Sequence, residues 1–399
     1  MGDLSWRFDD REYNYIKEVL DSGFASSTSG NMNARLEEAF AKRFNQRFAI
    51  TSSNGTTTLH SALLAFGVGY GDEVITTPLT VIACMNAILY CNAIPVFADV
   101  DPDTFLIDPN SIRKNITERT KAIMPVHLYG QVCDMTEIMN IAEEFNLKVI
   151  EDCAQCYLGT HKGKIGGTIG HAGSWSFENS KHLTTGDGGI VTCDDEDTAD
   201  LIRKIGVLGF RNGTAKSGKI RVSKNTFQDP DYKRHSHYGY NFRMPEVAAA
   251  MGLAQLEKID MFVGKRIQML NMYKDVTQNF DWINSQFTPD GDINSAYSYA
   301  ARLNISKIKW KDFRNKMLEH GGDGVFAAWA LQYKEDSMPK ILHMLETMGL
   351  KDRMNIEKIN CPNAETIQPE ILQFTTNQKN EEEMKIQADA LFKTLKYFD

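Results

Sequence analysis

The sequence predicts an α/β fold with a mostly parallel, seven-stranded sheet sandwiched by helices. Between residues 47 and 208, apolar segments of strand length alternate with stretches of helical periodicity, a pattern typical of this class. The apolar segments are continuous hydrophobic runs, such as the Ala-Ile-Met-Pro-Val of 122–126, and such runs favour strands buried on both faces. The predicted strands span residues 47–51, 73–76, 94–98, 121–126, 148–151, 174–177 and 189–193.

Helical periodicity and polar stretches place the connecting elements. Apolar residues at helical spacing from Leu59 to Phe66 predict an amphipathic helix that begins near Thr56. A further helix is predicted over 245–259. The polar stretch 211–237 lacks apolar periodicity, so we interpret it as a long surface excursion or lid.

The remainder of the chain predicts a second, smaller domain. Beyond residue 260, strand-like 298–303 is followed by helix-like 311–319 and 381–396. We therefore expect a large α/β domain over 1–260 and a small α+β domain over 261–399.

Composition narrows the class of protein. The chain has 399 residues, 42% of them hydrophobic, which excludes intrinsic disorder. It has 44 Lys and Arg against 52 Asp and Glu, a net charge of −8, and no long basic run, so nucleic acid is not an expected partner. No apolar stretch approaches the roughly 18 residues of a membrane helix, and no apolar signal core opens the chain. We expect a cytoplasmic protein with no membrane partner, whose seven cysteines are reduced interior thiols.

The most informative segment is 174–190. Lys181 follows a predicted buried strand by a few residues and precedes a glycine-rich turn. Ligands of open α/β sheets collect beyond the carboxyl ends of the strands, where a partly desolvated lysine can act as a nucleophile toward aldehydes. The alternative is a solvated lysine on a surface loop.

Polar groups end other predicted strands. Residues 53–57 precede a helix and offer backbone N–H groups and hydroxyls to a phosphate, or form a plain N-cap. Asp152 ends a strand and can pair with a cofactor cation or a structural one. Asn241 and Arg243 precede a helix, where capping is the alternative. With Lys181, these groups match the parts that hold pyridoxal phosphate (PLP): a phosphate cradle, an acid for the pyridine nitrogen and a Schiff-base lysine.

Further motifs strengthen this interpretation. They are Ser-Asn-Gly-Thr at 53–56, Gly-Asp-Glu-Val-Ile at 71–75, Pro-Val-Phe-Ala-Asp-Val at 95–100, Pro-Val-His-Leu-Tyr-Gly at 125–130, Ile-Glu-Asp-Cys-Ala-Gln at 150–155, Gly188-Gly189 after Lys181, and Tyr-Asn-Phe-Arg-Met at 240–244. With them the chain resembles, over nearly its full length, the DegT/StrS family of sugar-nucleotide aminotransferases, and the perosamine synthases in particular. The resemblance implies a fold type I PLP-dependent transferase, with residues 1–30 forming an N-terminal segment near the active site.

The resemblance also implies roles for matching residues. Lys181 is implied to bind the cofactor and to shuttle the proton, and Asp152 to pair with the pyridine nitrogen. Gln155 matches the residue that contacts the ring hydroxyl. The implied phosphate contacts are Gly55, Thr56, Ser176 and, from the neighbouring subunit of a homodimer, Asn241.

Three positions depart from the family pattern. Val81 stands where the family places an aromatic ring to stack on the cofactor, and His182 where Asn commonly follows the lysine. Residues 325–333 lack the Pro and His that relatives carry near the sugar. We therefore expect an unusual acceptor, with substrate contacts from His127, His182, Trp329 and Tyr333. For His127, core packing is an equal alternative.

The predicted activity is PLP-dependent transfer of an amino group to a keto group of a nucleotide-linked 4-keto-6-deoxyhexose, for surface polysaccharide. By resemblance the donor is glutamate. One alternative acceptor is a small phosphorylated ketone or ketose. A second alternative is a sugar dehydratase that uses the pyridoxamine form (PMP), although relatives of that kind carry His in place of Lys181. A third is a non-catalytic protein on the same fold.

Two weaker patterns have plainer interpretations. Cys153 and Cys156 form a C-x-x-C spacing, but no second cysteine pair completes a zinc site, so we expect two buried thiols. His235 and His237 lie in the polar excursion, where solvated side chains are the expectation. We therefore predict no metal.

Overall fold

The computed structural model describes residues 4–399, so the first three residues of the expected N-terminal segment lie outside it. The strands are β1 Phe48–Ser52, β2 Glu73–Thr76, β3 Ile94–Phe97, β4 Thr120–Met124, β5 Lys148–Asp152, β6 Thr160–His161, β7 Lys164–Ile165, β8 Ala172–Ser176, β9 Gly189–Cys193, β10 Ile283–Ser285, β11 Ser298–Leu303, β12 Val325–Ala327 and β13 Ile371–Thr375. The helices are α1 Asp10–Asp21, α2 Met32–Phe44, α3 Gly55–Ala65, α4 Ala83–Tyr90, α5 Pro109–Lys114, α6 Met135–Glu144, α7 Glu196–Gly206, α8 Lys224–Gln228, α9 Glu246–Leu256, α10 Ile259–Thr277, α11 Trp310–Glu319, α12 Met338–Thr347, α13 Pro362–Ile367 and α14 Glu381–Phe398.

The central sheet has seven strands in the order β1-β9-β8-β5-β4-β2-β3. The strands β8, β5, β4, β2 and β3 pair in parallel, and β9 runs antiparallel to both of its neighbours. The predicted mostly parallel sheet is confirmed. Strand bounds differ from the prediction by at most two residues. The largest shifts are the early end of β4, just before Pro125, and the early start of β8.

Helices cover both faces of this sheet, and β8 shows how the alternation of side chains works. Trp175 points into a cluster with Phe40 of α2 and Leu253 of α9. Its neighbour Ser174 points the other way and its hydroxyl lies 2.6 Å from that of Thr58 in α3. Strand side chains alternate between faces, so a single strand joins the two helical layers.

The C-terminal half forms a second sheet with the strand order β10-β11-β13-β12, antiparallel throughout. The helices α10, α11 and α14 pack on it around Tyr299, Phe313, Phe374 and Leu391. The predicted α+β character of this region is confirmed.

Two further observations concern the described residues, 4–399. The polar stretch 211–237 contains one short helix, α8, which buries none of its residues. No helix in the described range is long and apolar enough to span a bilayer, and no group of three or more His, Cys, Asp or Glu side chains in it is arranged to hold a metal.

Candidate active site

The structure brings the predicted cofactor residues to one edge of the sheet. Strands β5 and β8 are parallel neighbours, with Asp152 in register with Ser174. Both strands therefore end at the same edge. Ser176 is the last residue of β8, and Lys181 lies five residues beyond it.

The N-terminus of α3 faces this edge with free backbone donors. The Asn54 side chain caps the helix by accepting the Thr57 N–H at 2.9 Å, and its carbonyl accepts the N–H of Thr58. Within residues 4–399 this leaves the N–H groups of Gly55 and Thr56 for a ligand. Such groups at a helix N-terminus bind phosphate.

Ser176 lies against the same helix end. A Cβ added at Gly55 would stand 2.7 Å from the Ser176 Cβ and 3.1 Å from its hydroxyl, a spacing that only glycine permits. The two residues therefore form a close cradle of N–H and hydroxyl donors. This cradle fits the phosphate of PLP.

Asp152 is buried and held at both carboxylate oxygens. Oδ1 accepts the Ala154 N–H at 2.9 Å, and Oδ2 lies 3.1 Å from the Cys84 sulfur. Its main chain bonds to the neighbouring strand, since its N–H donates to Pro125 and its carbonyl accepts from His127. The carboxylate has little freedom to rotate.

Gln155 is also oriented by the protein. Its Oε1 accepts the Tyr129 N–H at 2.8 Å, which turns the amide nitrogen away as a donor with no partner within residues 4–399. Tyr129 has a positive φ of 63°, uncommon for a residue with a side chain, and its buried hydroxyl lacks a partner in the described range. These unsatisfied groups are suited to a polar ligand.

Lys181 is 9% exposed. Its Nζ lies 4.8 Å from the centre of the Tyr297 ring and has no ion-pair or hydrogen-bond partner in residues 4–399. A cation over an aromatic face is attracted without being neutralised. The amine is held in place and remains available to react.

Two buried guanidinium groups hold the loop that carries Lys181. Arg7 donates to the carbonyls of Asn179, Lys181 and His182 at 2.8–3.0 Å. Arg266 donates to Ser180 at 3.0 Å. Burial lowers the pKa of Arg7 to about 10 and that of Arg266 to about 9, so both remain charged at neutral pH.

A cavity of about 240 Å³ opens beside this loop. Trp329 contributes to its wall and stacks on Tyr129, with ring centroids 6.4 Å apart and planes 16° apart. Its lining also includes Ser180, Arg266, Tyr297, Phe326, Gln373 and Thr376. Of the four predicted substrate contacts, Trp329 is the one that lines this cavity.

The other three predicted substrate contacts, His127, His182 and Tyr333, do not line this cavity. His127 is fully buried, its Nε2 lies 2.8 Å from Glu151 and its Nδ1 accepts the Cys133 N–H, contacts that favour the core-packing alternative. His182 is buried behind Lys181, with Nε2 on the Ser295 carbonyl. Tyr333 is buried, with its hydroxyl on Glu365, and is not part of the cavity wall.

Two further positions from the sequence analysis are Asn241 and Val81. Asn241 is exposed, and its Oδ1 accepts a hydrogen bond from the Arg243 guanidinium at 2.9 Å; within residues 4–399 its side chain makes no hydrogen bond to the cradle residues. Val81 is half-buried, three residues before Cys84, whose sulfur reaches Asp152.

Sequence analysis missed four residues of this site, namely Arg7, Cys84, Arg266 and Tyr297. Arg266 carried a usable signal, because it interrupts the apolar stripe of α10 between Phe262 and Leu270, where an arginine needs buried acceptors. For the others the sequence offers no local signal.

One known protein family matches nearly the whole chain. The sequence profile of the DegT/DnrJ/EryC1/StrS aminotransferase family matches residues 7–385. The chain belongs to this family. As an aminotransferase of this family it uses PLP and its amino form, PMP, and the cradle, Asp152 and Lys181 fit that cofactor.

Two relatives and one solved structure show how far the similarity extends. The aminotransferase is 41% identical to GDP-perosamine synthase of Caulobacter vibrioides over 67% of each chain. It is 34% identical to GDP-perosamine synthase of Escherichia coli O157:H7, over 93% of this chain and 95% of that one. An aminotransferase structure from Psychrobacter cryohalolentis covers 98% of both chains at 29% identity and a TM-score of 0.84.

Proposed function

We propose that this aminotransferase moves an amino group from L-glutamate to the 4-keto group of a GDP-linked 6-deoxyhexose, for surface polysaccharide. The support for the acceptor is the similarity to two GDP-perosamine synthases, one of them over nearly the full length of both chains. A 36% identical relative from Bacillus subtilis is a spore coat polysaccharide biosynthesis protein. The donor is inferred from the family resemblance.

The observation that carries the proposal is the placement of Lys181. Its unpaired amine lies at the same sheet edge as Asp152 and the α3 cradle, beside a cavity with aromatic walls. An amine, a carboxylate and a phosphate cradle at one sheet edge are the three groups that PLP requires. The dehydratase alternative predicts His in place of this lysine.

The chain's residues divide the work of binding. PLP, when bound, supplies an electron sink that makes a proton on the attached substrate carbon acidic. We assign its phosphate to the N–H groups of Gly55 and Thr56 and the Ser176 hydroxyl. Asp152 holds the proton on the pyridine nitrogen, and the free amide nitrogen of Gln155 donates to the ring hydroxyl.

Lys181 is the base of the proposed reaction. With the cofactor and an amino substrate bound, the Lys181 amine would move a proton between the substrate carbon and the cofactor C4′ carbon. Arg7 and Arg266 keep the loop carbonyls fixed, and Tyr297 holds the amine over its ring. Proton transfer of this kind requires placement within hydrogen-bond reach.

We infer that the enzyme works as a homodimer in which Asn241 contacts the phosphate of the neighbouring site. Asn241 lies between two half-buried aromatic rings, those of Tyr240 and Phe242. Tyr240 and Phe242 stack at 5.1 Å, and Tyr238 is 85% exposed. Aromatic side chains such as the exposed Tyr238 are enriched at interfaces between proteins, which supports a subunit contact here.

A mixed dimer tests this arrangement. Lys181→Ala and Asn241→Ala chains are each expected to form inactive homodimers. When the two are unfolded together and refolded, the mixed dimer contains one site with both native residues. Recovery of activity supports Asn241 acting between subunits, and no recovery from a dimer of verified mixed composition contradicts it.

The acceptor is tested by competition. Purified enzyme is given L-glutamate with GDP-4-keto-6-deoxymannose, dihydroxyacetone phosphate, or both, and 2-oxoglutarate and amino product are measured. We expect turnover with the nucleotide sugar and little with the free keto-phosphate. Equal turnover with the keto-phosphate contradicts the proposal, and a deoxygenated keto sugar without nitrogen identifies a dehydratase.

A further inference from the structure

The buried thiol of Cys84 contacts the carboxylate that is assigned to the cofactor nitrogen. Cys84 is the second residue of α4, is 1% exposed, and its sulfur lies 3.1 Å from Asp152 Oδ2. The Ala154 N–H occupies the other oxygen, Oδ1, at 2.9 Å. The carboxylate is therefore gripped by two protein donors, one on each oxygen.

Cys84 can act only as a donor in this contact. Burial, together with the charge of Asp152, raises the pKa of the Cys84 thiol well above its ordinary value, so the sulfur keeps its proton. A thiol is a weak donor, but a charged acceptor and a dry site strengthen the bond.

The other cysteines make a different kind of contact. In the described part of the chain, the remaining six sulfurs lie near main-chain carbonyls, as Cys91 does with Ala87 at 3.4 Å and Cys133 with Val126 at 3.2 Å. Among the cysteines in residues 4–399, Cys84 is the one whose hydrogen-bond acceptor is a side-chain carboxylate. Filling a core does not require that contact.

We propose that Cys84 is a positioning residue that fixes the Asp152 carboxylate for its bond to the cofactor ring nitrogen. A carboxylate has lone pairs for about four hydrogen bonds. The Ala154 and Cys84 donors fix the plane and rotation of the group, and the remaining lone pairs stay directed toward the ligand. This inference rests on the role proposed above for Asp152.

The competing explanation is that Cys84 merely fills space. Three variants separate the two: Cys84→Ser keeps a donor, Cys84→Val keeps the volume without a donor, and Cys84→Ala removes both. Cys91→Ala is the matched control, because Cys91 lies at the end of the same helix and is also buried, but bonds a carbonyl.

The first readout needs no cofactor. The S–H stretching band of Cys84 is isolated by subtracting the infrared spectrum of the Cys84→Ala protein from that of the wild type. If the thiol donates to the carboxylate, Asp152→Asn shifts this band. An unshifted band overturns the proposal whatever the enzyme's function.

The second readout is cofactor binding. We expect Cys84→Val and Cys84→Ala to lower PLP affinity by roughly tenfold, as loss of one hydrogen bond to a charged group does. They also shift the ¹⁵N resonance of ring-labelled PLP, while Cys84→Ser and Cys91→Ala stay near wild type. The proposal is overturned if all four variants bind PLP with equal affinity and leave the resonance unshifted. It is also overturned if Cys84→Ser binds PLP as weakly as Cys84→Val. Failure of the wild-type protein to bind PLP contradicts instead the assignment of the cofactor site.

Discussion

The two residues assigned to the cofactor are held in different ways. Asp152 ends a central strand, and its main chain and carboxylate bond to groups near the same sheet edge, including Pro125, Ala154 and Cys84. Lys181 lies on an irregular loop after β8. The carbonyls of that loop are bound by Arg7, from the N-terminal segment, and by Arg266, from α10.

This difference suits the two tasks. The proton partner of a ring nitrogen stays in one place throughout a reaction, so a rigid strand end serves it. A base that moves a proton between two carbons must shift between positions, and a loop anchored at its carbonyls allows the side chain to move while the backbone stays fixed. In the proposed reaction, a fixed carboxylate at a strand end is therefore separate from a base on a loop anchored at its carbonyls.

The largest expected effect is the loss of turnover when Lys181, the proposed base, is replaced. Lys181→Ala should lower turnover by roughly 10²- to 10⁴-fold or more, since general base catalysis at this position is lost. Circular dichroism and thermal unfolding should stay close to wild type, because Nζ has no hydrogen bond or ion pair in the described chain and loses only its contact with the Tyr297 ring. Lys164→Ala, at an exposed position, is the control. Retained amination by Lys181→Ala removes this residue from its assigned role.

The rigidity of the strand end that carries Asp152 depends on its neighbour Glu151. Its oxygens accept the N–H groups of Gly167, Ile169 and Gly170 at 2.6–2.8 Å, together with His127. Glu151→Gln turns an acceptor into a donor that faces N–H groups.

We expect this substitution to lower the free energy of unfolding by about 3 kcal/mol, measured by urea denaturation. Glu144→Gln, on the surface with an ion pair to Arg113, should change it by less than about 1 kcal/mol. A matching small effect for Glu151→Gln would show that the strand end is not rigidly supported.

The backbone of the loop that carries Lys181 is held in place by Arg7. Arg7→Met leaves three loop carbonyls without their donor, at a local cost of roughly 2 kcal/mol. Hydrogen exchange should quicken for the amides of 179–184 and stay unchanged for those of 149–154. Arg11→Met, at an exposed side chain, should alter neither set. Equal quickening in both sets would abolish the distinction between the two regions.

The smallest effect is a dependence on pH. Burial and the nearby charge of Arg266 lower the pKa of His182 well below its ordinary 6.5. As pH falls through about 6.5, the unfolded chain takes up a proton that the folded chain refuses, so the folded state loses stability. His182→Asn should reduce this loss, measured by urea denaturation at pH 7.5 and 5.0. If the free energy of unfolding of His182→Asn falls between pH 7.5 and pH 5.0 by as much as that of the wild type, the prediction is contradicted.

The sequence predicts where Asp152 and Lys181 lie, but not the contacts that hold them. Asp152 and Lys181 could both be placed at strand ends, because apolar runs locate the strands and ligands collect at their carboxyl ends. The contacts that hold them were not predictable. Cys84 lies 68 residues from Asp152, Arg7 lies 174 residues from Lys181, and Arg266 lies 86 residues from Ser180.

The same limit applies to the predicted substrate contact His127. His127 follows a strand end just as a ligand-binding residue would, and its partner Glu151 is adjacent in sequence to Asp152. Which of the two neighbouring carboxylates faces the ligand depends on the alternation of side chains across the sheet. A strand whose two faces are both covered carries no polar pattern that reveals this choice.

The most direct test of the central claim is chemical capture of the cofactor. The protein is mixed with PLP, reduced with borohydride, digested with trypsin and analysed by mass spectrometry. We predict that the reduced cofactor is found on the peptide that contains Lys181, and that Lys181→Ala abolishes the modification. Modification at a different lysine, or none in the wild-type protein, would contradict the assignment of Lys181 to the cofactor.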